Sequence, residues 1–286
     1  MRVLITGASG FLGGHLLKKL KEKGYELIIV KRENVHTKAE SKTDQKIQYI
    51  SIGNIETVLK SQKPIDVVLH LAALYENSDT SISQICEANL TFAVSVLDAA
   101  LALGIKRFIS VGTALPKNIN TYSLSKNQFS EWGELLAREG KIEFINSILH
   151  NIYGPGDSPK KFPEFIVSSC LKNLKSVDLT VGTQIRDFIY IDDVVNAYIV
   201  LIESTHSFLT GYSTIEIGSG EPISIKDFVV NVKRIAKSTT NFNFGSLPIR
   251  KNEPMRLVAD TSNLIKLGWN NLTSIEDGLN KTIYHR

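Results

Sequence analysis

Apolar residues along this chain alternate between two periods. Residues 3–6 (Val-Leu-Ile-Thr) form a short continuous apolar run that reads as a buried strand. Residues 11–23 carry Phe11, Leu12, Leu16, Leu17 and Leu20 at helical spacing and stop at Gly24, and residues 27–30 form a second apolar run. Strand, turn, helix and strand in that order make the unit from which parallel sheets are built. The alternation continues, with strands predicted over 47–52, 67–71, 107–111 and 144–149 and helices over 89–103 and 125–138. The pattern predicts an α/β fold with a doubly wound parallel sheet of the Rossmann type.

After about residue 150 the texture changes. Tyr153-Gly-Pro-Gly-Asp157 is a loop cluster, residues 192–203 read as a helix and 214–217 as a strand. Ser224, with Asp227 three residues on, reads as a helix N-cap box before Phe228-Val229-Val230. This predicts a first domain of residues 1–150 plus about 186–217. A smaller C-terminal lobe takes about 151–185 plus 218–286.

The 286 residues are 43% hydrophobic and 22% charged, enough apolar material for a substantial core and too much for a disordered chain. A net charge of +4 is too weak to argue for nucleic acid and suits an anionic small ligand. Cys86 and Cys170 stand among apolar neighbours and read as reduced packing residues, with no cysteine–histidine cluster for a metal. The chain opens directly into an apolar strand, and no apolar stretch reads as long enough to cross a bilayer. The expectation is a cytoplasmic protein without a membrane or nucleic-acid partner.

Residues 6–13, Thr-Gly-Ala-Ser-Gly-Phe-Leu-Gly, place glycines at 7, 10 and 13 between a strand and a helix. Gly7 permits the tight turn, Gly10 lets backbone approach a pyrophosphate, and Gly13 lets the helix pack on the sheet; the helix N-terminus offers free N–H groups to the anion. Ser9, Phe11 and Leu12 complete the loop as cofactor-binding positions. The alternative is an ordinary strand–helix turn, which seldom needs three glycines. After the second strand an NAD site usually has a carboxylate for the ribose 2′-hydroxyl. Here Lys31 and Arg32 follow Val30, cations suited to a 2′-phosphate, and Glu33 comes one residue later. The expected cofactor is NADP(H); the alternative for these cations is a solvated basic turn.

Tyr122-Ser-Leu-Ser-Lys126 puts a phenol and an amine on one helical face. An ammonium beside a phenol is expected to stabilise the phenolate and lower its pKa, fitting Tyr122 for proton exchange with a substrate oxygen. Thr113, just after the strand that ends at Val111, is the candidate hydroxyl partner, with Ser110 as its rival.

Several stretches, in order along the chain, resemble the extended short-chain dehydrogenase/reductases, the NAD-dependent epimerase/dehydratase family that acts on nucleotide-linked sugars. They are TGASGFLGGHL (6–16), HLAA (70–73), Asn89 in NLTFAVSVLDAA, YSLSK (122–126), NIYGPG (151–156), RDFIYIDDV (186–194), IGSGEPISI (217–225) and ADTSNLIKLGW (259–269). The resemblance implies that Asn54 and Ile55 flank the adenine, that Leu71, Ala72 and Ala73 line the cofactor, and that Asn89, Tyr122 and Lys126 join them. It implies substrate contacts from Thr113 and Asn151, with Arg186 and Arg250 on the diphosphate of a nucleotide sugar. It also implies a homodimer paired through helices 89–103 and 125–138. As alternatives, Arg186 pairs with Asp187 or Asp192, and Asn89 caps a helix.

The short span from Thr113 to Tyr122 (ALPKNINT) differs from the longer loop usual in the epimerases and dehydratases of this family. Ala114 and Leu115 stand where the dehydratases carry acids. Residues 111–133 resemble the family's CDP-abequose and CDP-paratose synthases. That resemblance implies NADPH-dependent reduction of the C4 ketone of CDP-4-keto-3,6-dideoxyglucose, for O-antigen or another surface polysaccharide. The alternatives are a 4-ketoreductase for a dTDP or GDP sugar, a 4-epimerase, reduction of a small non-nucleotide carbonyl compound, or a non-enzymatic cofactor-sensing protein on the same fold.

Overall fold

A computed structural model describes residues 1–31, 46–51, 53, 55, 63–77, 79–205 and 210–285, with the side chain of Lys31 not among the described parts. The apolar runs form a seven-stranded sheet. Its strands are β1 (Arg2–Thr6), β2 (Glu26–Lys31), β3 (Ile47–Ser51), β4 (Val67–His70), β5 (Arg107–Thr113), β6 (Glu143–Leu149) and β10 (Tyr212–Ile217), in the order β10-β6-β5-β4-β1-β2-β3. The pairs β2–β3, β1–β2, β1–β4 and β4–β5 are all parallel. The strand order reverses at β1, the switch point at which open α/β sheets bind ligands. The doubly wound Rossmann sheet expected from the pattern is therefore present.

The chain divides into two compact units, Met1–Ile148 with Tyr198–Ile215, and Leu149–Ala197 with Glu216–Arg286. In the first unit, helix α1 (Phe11–Glu22) follows β1. Helix α2 (Ile82–Cys86) passes through a π-turn (Glu87–Thr91) into α3 (Phe92–Ala102), and α4 (Thr121–Arg138) follows β5. One core cluster collects Leu4, Val68, Val96, Phe108, Phe129 and Phe144, with the rings of Phe108 and Phe144 stacked at 5.4 Å. The continuous run Ile82–Ala102 is, by length and composition, long and apolar enough to cross a membrane, which corrects the expectation that no such stretch exists. Half of it is buried, and Ala93, Val96, Leu97 and Ala100 pack into the core cluster. This is the behaviour of a core helix.

In the second unit, β7 (Asn151–Tyr153), β9 (Ile185–Tyr190) and β11 (Pro222–Ser224) form a three-stranded sheet in the order β11-β9-β7, and β8 (Ser176–Leu179) pairs with β12 (Asn241–Phe244). Helix α5 (Phe162–Leu171) precedes β8, and α6 begins at the end of β9 (Ile191–Glu203). Helix α7 (Ile225–Ile235) starts at Ser224, whose hydroxyl accepts from Asp227 N at 2.9 Å, the N-cap read from the sequence. Helices α8 (Ser262–Lys266) and α9 (Ile275–Tyr284) complete this unit. The sequence places 186–217 with the first domain. In the structure residues 186–197 fall in the second unit, because β9 pairs with β7 and β11 and not with the large sheet.

Candidate functional site

The loop between β1 and α1 depends on its glycines. Gly7 has φ 71°, a left-handed conformation that side chains resist. A Cβ there would stand 2.6 Å from Ala72 N, so the bare glycine lets the segment after β4 lie against the loop. A Cβ on Gly13 would meet Gly7 O at 2.1 Å. The sequence assigns Gly13 to helix–sheet packing; its nearest neighbours are instead Gly7 and Ala8, because the first turn of α1 folds back onto the loop. Gly10 is the N-cap of α1 and supplies no side-chain acceptor, which leaves the first-turn N–H groups for an anion. Ser9 is exposed, Phe11 half-exposed and Leu12 buried.

Two side chains fix the segment after β4. The Thr6 hydroxyl accepts from Ala72 N at 3.2 Å and shares a 3.0 Å hydrogen bond with His70 Nδ1. The His70 ring is enclosed by Phe92, Phe108 and Phe129, and its Nε2 has no partner. Burial, and then the nearby Lys126 charge, hold its pKa well below the usual histidine value, so it stays neutral. Leu71, Ala72 and Ala73 remain half-exposed beyond it. Asn89 lies on the π-turn, buried. It accepts from Leu74 N at 2.7 Å and donates to Leu74 O and to Ser125 Oγ. Asn89 thus joins this segment to α4, where the sequence gives it to the cofactor or to a helix cap. A π-turn at such a place is a recurrent feature of functional sites.

The apolar pattern starts the helix after β5 at Ser125 and the Tyr122–Lys126 spacing starts it at Tyr122; α4 begins at Thr121, beside the second. Asn120 caps it, accepting from Ser123 N at 2.7 Å while the Ser123 hydroxyl accepts from Asn120 N at 3.2 Å. Tyr122 and Lys126 therefore lie one turn apart in the first turns of a rigid helix. Both are buried, with relative exposures of 6% and 3%. Among the described residues Lys126 Nζ has no hydrogen-bond partner, and burial pushes its pKa down to about 8. Tyr122 departs from expectation. Its pKa is raised well above the usual phenol value, first by burial and then by Tyr75 and Tyr198. A buried phenolate is disfavoured before any neighbouring cation acts, and two further phenols add to the effect.

Thr113 ends β5 half-exposed. Its Oγ1 accepts from Leu115 N at 3.2 Å, which keeps its own O–H available to donate. Ser110, its rival, is buried opposite His70 in the sheet. Tyr75, unremarked in the sequence, stacks on Tyr122 with ring centroids 4.7 Å apart and is, after burial, the next cause of its raised pKa. No local spacing rule marks a loop tyrosine for such a contact.

At the ribose end, Lys31 closes β2 with its backbone opposite Ser51, while its side chain, Arg32 and Asn54 lie outside the described residues. Ile55 is packed in the core with Val30 and Ile50.

In the second unit, Asn151 donates to Asp187 O at 3.0 Å. Arg186 is buried and donates to Ile185 O and to the Glu253 carboxylate, a different partner from the Asp187 or Asp192 considered from sequence. Arg250 is exposed in the same loop as Glu253, and its carbonyl accepts from Glu253 N. Glu253 is legible only afterwards, as the one acid among Arg250, Lys251 and Arg256.

A nicotinamide dinucleotide fits the first unit on two observations: an uncapped helix start behind a glycine loop, and a buried ammonium with no protein partner. Among the described residues no group of histidine, cysteine and carboxylate side chains is arranged to hold a metal.

Comparison with known proteins agrees with these features. Residues 3–218 match the model of the NAD dependent epimerase/dehydratase family. The chain is similar to a CDP-abequose synthase of Salmonella typhimurium, at 34% identity over 93% of this chain and 92% of the relative. A CDP-abequose synthase of Salmonella muenchen is 32% identical over 99% and 97%. Among solved structures, a UDP-glucuronic acid 4-epimerase from Bacillus cereus in complex with UDP-glucuronic acid and NAD superposes with a TM-score of 0.82. It is 25% identical, over 99% of this chain and 98% of that one. With its parallel sheet, glycine loop and Tyr122–Lys126 helix, the chain belongs to the NAD dependent epimerase/dehydratase family.

Proposed function

We propose that this protein is an NADPH-dependent 4-ketoreductase of a nucleotide-linked deoxysugar. The substrate in this reading is CDP-4-keto-3,6-dideoxyglucose and the product CDP-abequose or CDP-paratose, destined for O-antigen or another surface polysaccharide. The coarser statement, a nucleotide-sugar-modifying enzyme of the oxidoreductase type with a nicotinamide cofactor, rests on the family and on the names of its relatives.

The observation that carries the reading is Lys126 Nζ, buried without a partner one helical turn from Tyr122. A buried ammonium without an acceptor is costly, and ribose hydroxyls would supply acceptors. Ser9, Gly10, Phe11, Leu12 and Gly13 would hold the pyrophosphate, and Leu71, Ala72 and Ala73 would line the nicotinamide half. Asn54 and Ile55 are proposed beside the adenine, Ile55 through its backbone, and Lys31 and Arg32 on the 2′-phosphate. A bound NADPH supplies the hydride. Thr113 would hold the ketone oxygen and Tyr122 would give its proton to the emerging alkoxide. Bound beside Lys126, the cofactor would keep that ammonium charged and so ease proton loss from Tyr122. Arg186 and Arg250 would hold the diphosphate and Asn151 the sugar. The missing dehydratase acids at Ala114 and Leu115 support reduction over elimination. A homodimer through α3 and α4 and a cytoplasmic location belong to the same reading, the first supported by exposed Leu124, Trp132 and Leu135 on α4.

The 4-epimerases among the similar structures favour a second reading, a 4-epimerase. A panel of 4-keto nucleotide sugars, each offered with NADPH and with NADH, tests the proposal. Preferred turnover of the CDP sugar with NADPH is expected, and NMR of the product gives its C4 configuration. Equal kinetic efficiency with NADH would remove the assignment of Lys31 and Arg32.

A further inference from the structure

Reduction of a ketone by NADPH consumes one proton in each turnover, and that proton has to reach Tyr122 from solvent. Tyr122 itself is buried. The ionisable groups around it come from four elements. Lys126 on α4 and His70 at the end of β4 are both buried, and among the described residues neither Lys126 Nζ nor His70 Nε2 has a hydrogen-bond partner. Tyr198 on α6 is fully buried, and its hydroxyl is tied to Ser147 Oγ at 2.8 Å, which in turn donates to Ser110 O. The fourth group is Tyr75, in the segment after β4, with a relative exposure of 52%. Its ring lies on that of Tyr122 at 4.7 Å with an interplanar angle of 25°, which brings the two phenols together. Of these four, Tyr75 alone reaches water.

We propose that Tyr75 is the proton donor that recharges Tyr122 from solvent between turnovers. This rests on the reading of Tyr122 as the acid of a reductase. The sequence balances. Tyr122 O–H gives its proton to the alkoxide and becomes phenolate. Tyr75 O–H then gives its proton to that phenolate across the stacked pair, and Tyr75 takes a replacement from a water or a buffer acid. No electron moves in this relay. Burial first, and Tyr75 after it, help Tyr122 keep its proton until a stronger base, the alkoxide, arrives. In this role Tyr75 is a positioning residue, because it acts through Tyr122.

The test uses Tyr75→Phe, which keeps the stacked ring and removes only the hydroxyl. NADPH oxidation on the 4-keto nucleotide sugar is followed through the first turnover and into the steady state. The first turnover is expected to run at the wild-type rate, because Tyr122 starts protonated. The steady state is expected to fall about tenfold, with a larger solvent deuterium isotope effect and an unchanged KM. Imidazolium buffer should restore it in the variant and leave wild type unchanged. A steady state equal to wild type overturns the proposal. So does a first turnover slowed as much as the steady state, which would make Tyr75 a shaper of the site. Tyr75→Leu, slowed beyond Tyr75→Phe in the first turnover, would assign the ring its packing part and leave the relay to the hydroxyl. A wild-type protein that oxidises no NADPH on any of the sugars, or a Tyr122→Phe protein that still does, would overturn the ketoreductase reading, and the relay with it.

Discussion

Lys126 in the first unit and Asp187 in the second are both ionisable, both nearly or fully buried, and handled in opposite ways. Asp187 Oδ1 accepts from Ser219 N and Ser219 Oγ, each at 2.7 Å, and its Oδ2 accepts from Gly220 N and Ala259 N. Gly218 lies so close that a Cβ there would stand 2.5 Å from the same carboxylate. Every oxygen is satisfied, and the aspartate ties β9 to the turn after β10 and to the segment leading to α8. Lys126 Nζ is satisfied by nothing among the described residues. A buried charge with a full set of donors organises a fold, whereas one with none marks a place where a ligand completes the structure.

Asp187→Ala breaks the satisfied side of this comparison. It leaves four donors facing a cavity and is expected to cost about 3–5 kcal/mol, read as a fall in thermal midpoint and urea midpoint. An Asp187→Ala protein as stable as wild type would mean that the network is decorative.

Lys126→Met acts on the other side and is expected to do the reverse. The folded pKa of about 8 lies below the ordinary lysine value of 10.5, so the unfolded chain binds more protons between those values. The stability of the cofactor-free protein should therefore rise as pH climbs through that window, and the burial cost is fully present below it. Lys126→Met should stabilise the cofactor-free protein by about 3 kcal/mol at neutral pH and remove that rise. The same variant should bind NADPH poorly, and calorimetry would detect both effects. A destabilised Lys126→Met would show that the amine has a partner.

Smaller effects concern Arg186. It stands beside Asp187 on β9, yet its guanidinium is paired with one carboxylate, that of Glu253. Arg186→Ala is expected to raise KM for a nucleotide sugar by about tenfold or more, the scale of hydrogen bonds to a charged group. An enzyme acting on a small non-nucleotide ketone would barely respond. Glu253→Gln, which releases the guanidinium to an incoming diphosphate, should lower KM by about two- to threefold at low salt. An unchanged KM would separate Glu253 from the substrate.

The large sheet was legible because its central strands β1, β4 and β5 are buried on both faces and its helices close on glycines, both signals local to the sequence. The glycine loop and the Tyr122–Lys126 pair are likewise carried by spacing along a few residues. Apolar periodicity alone starts α4 four residues late, because its first turn, Thr121-Tyr-Ser-Leu, lacks an apolar repeat and is set by the Asn120 cap, whereas the Tyr122–Lys126 spacing comes within one residue of the start. The residues that sequence missed make contacts across long separations. Tyr75 meets Tyr122, Ser147 meets Tyr198, and Glu253 meets Arg186, and no periodicity encodes such pairs. The direction of the Tyr122 shift was missed for the same reason. A phenol beside an amine in sequence says nothing about how deeply both are buried.

The central claim is that Tyr122 and Lys126 serve a reaction that consumes its cofactor. The direct measurement is stoichiometry: loss of nicotinamide absorbance counted against product formed from CDP-4-keto-3,6-dideoxyglucose. One NADPH oxidised for each sugar reduced is the predicted result. Sugar converted with no net loss of NADPH, the signature of a recycled cofactor, would contradict it.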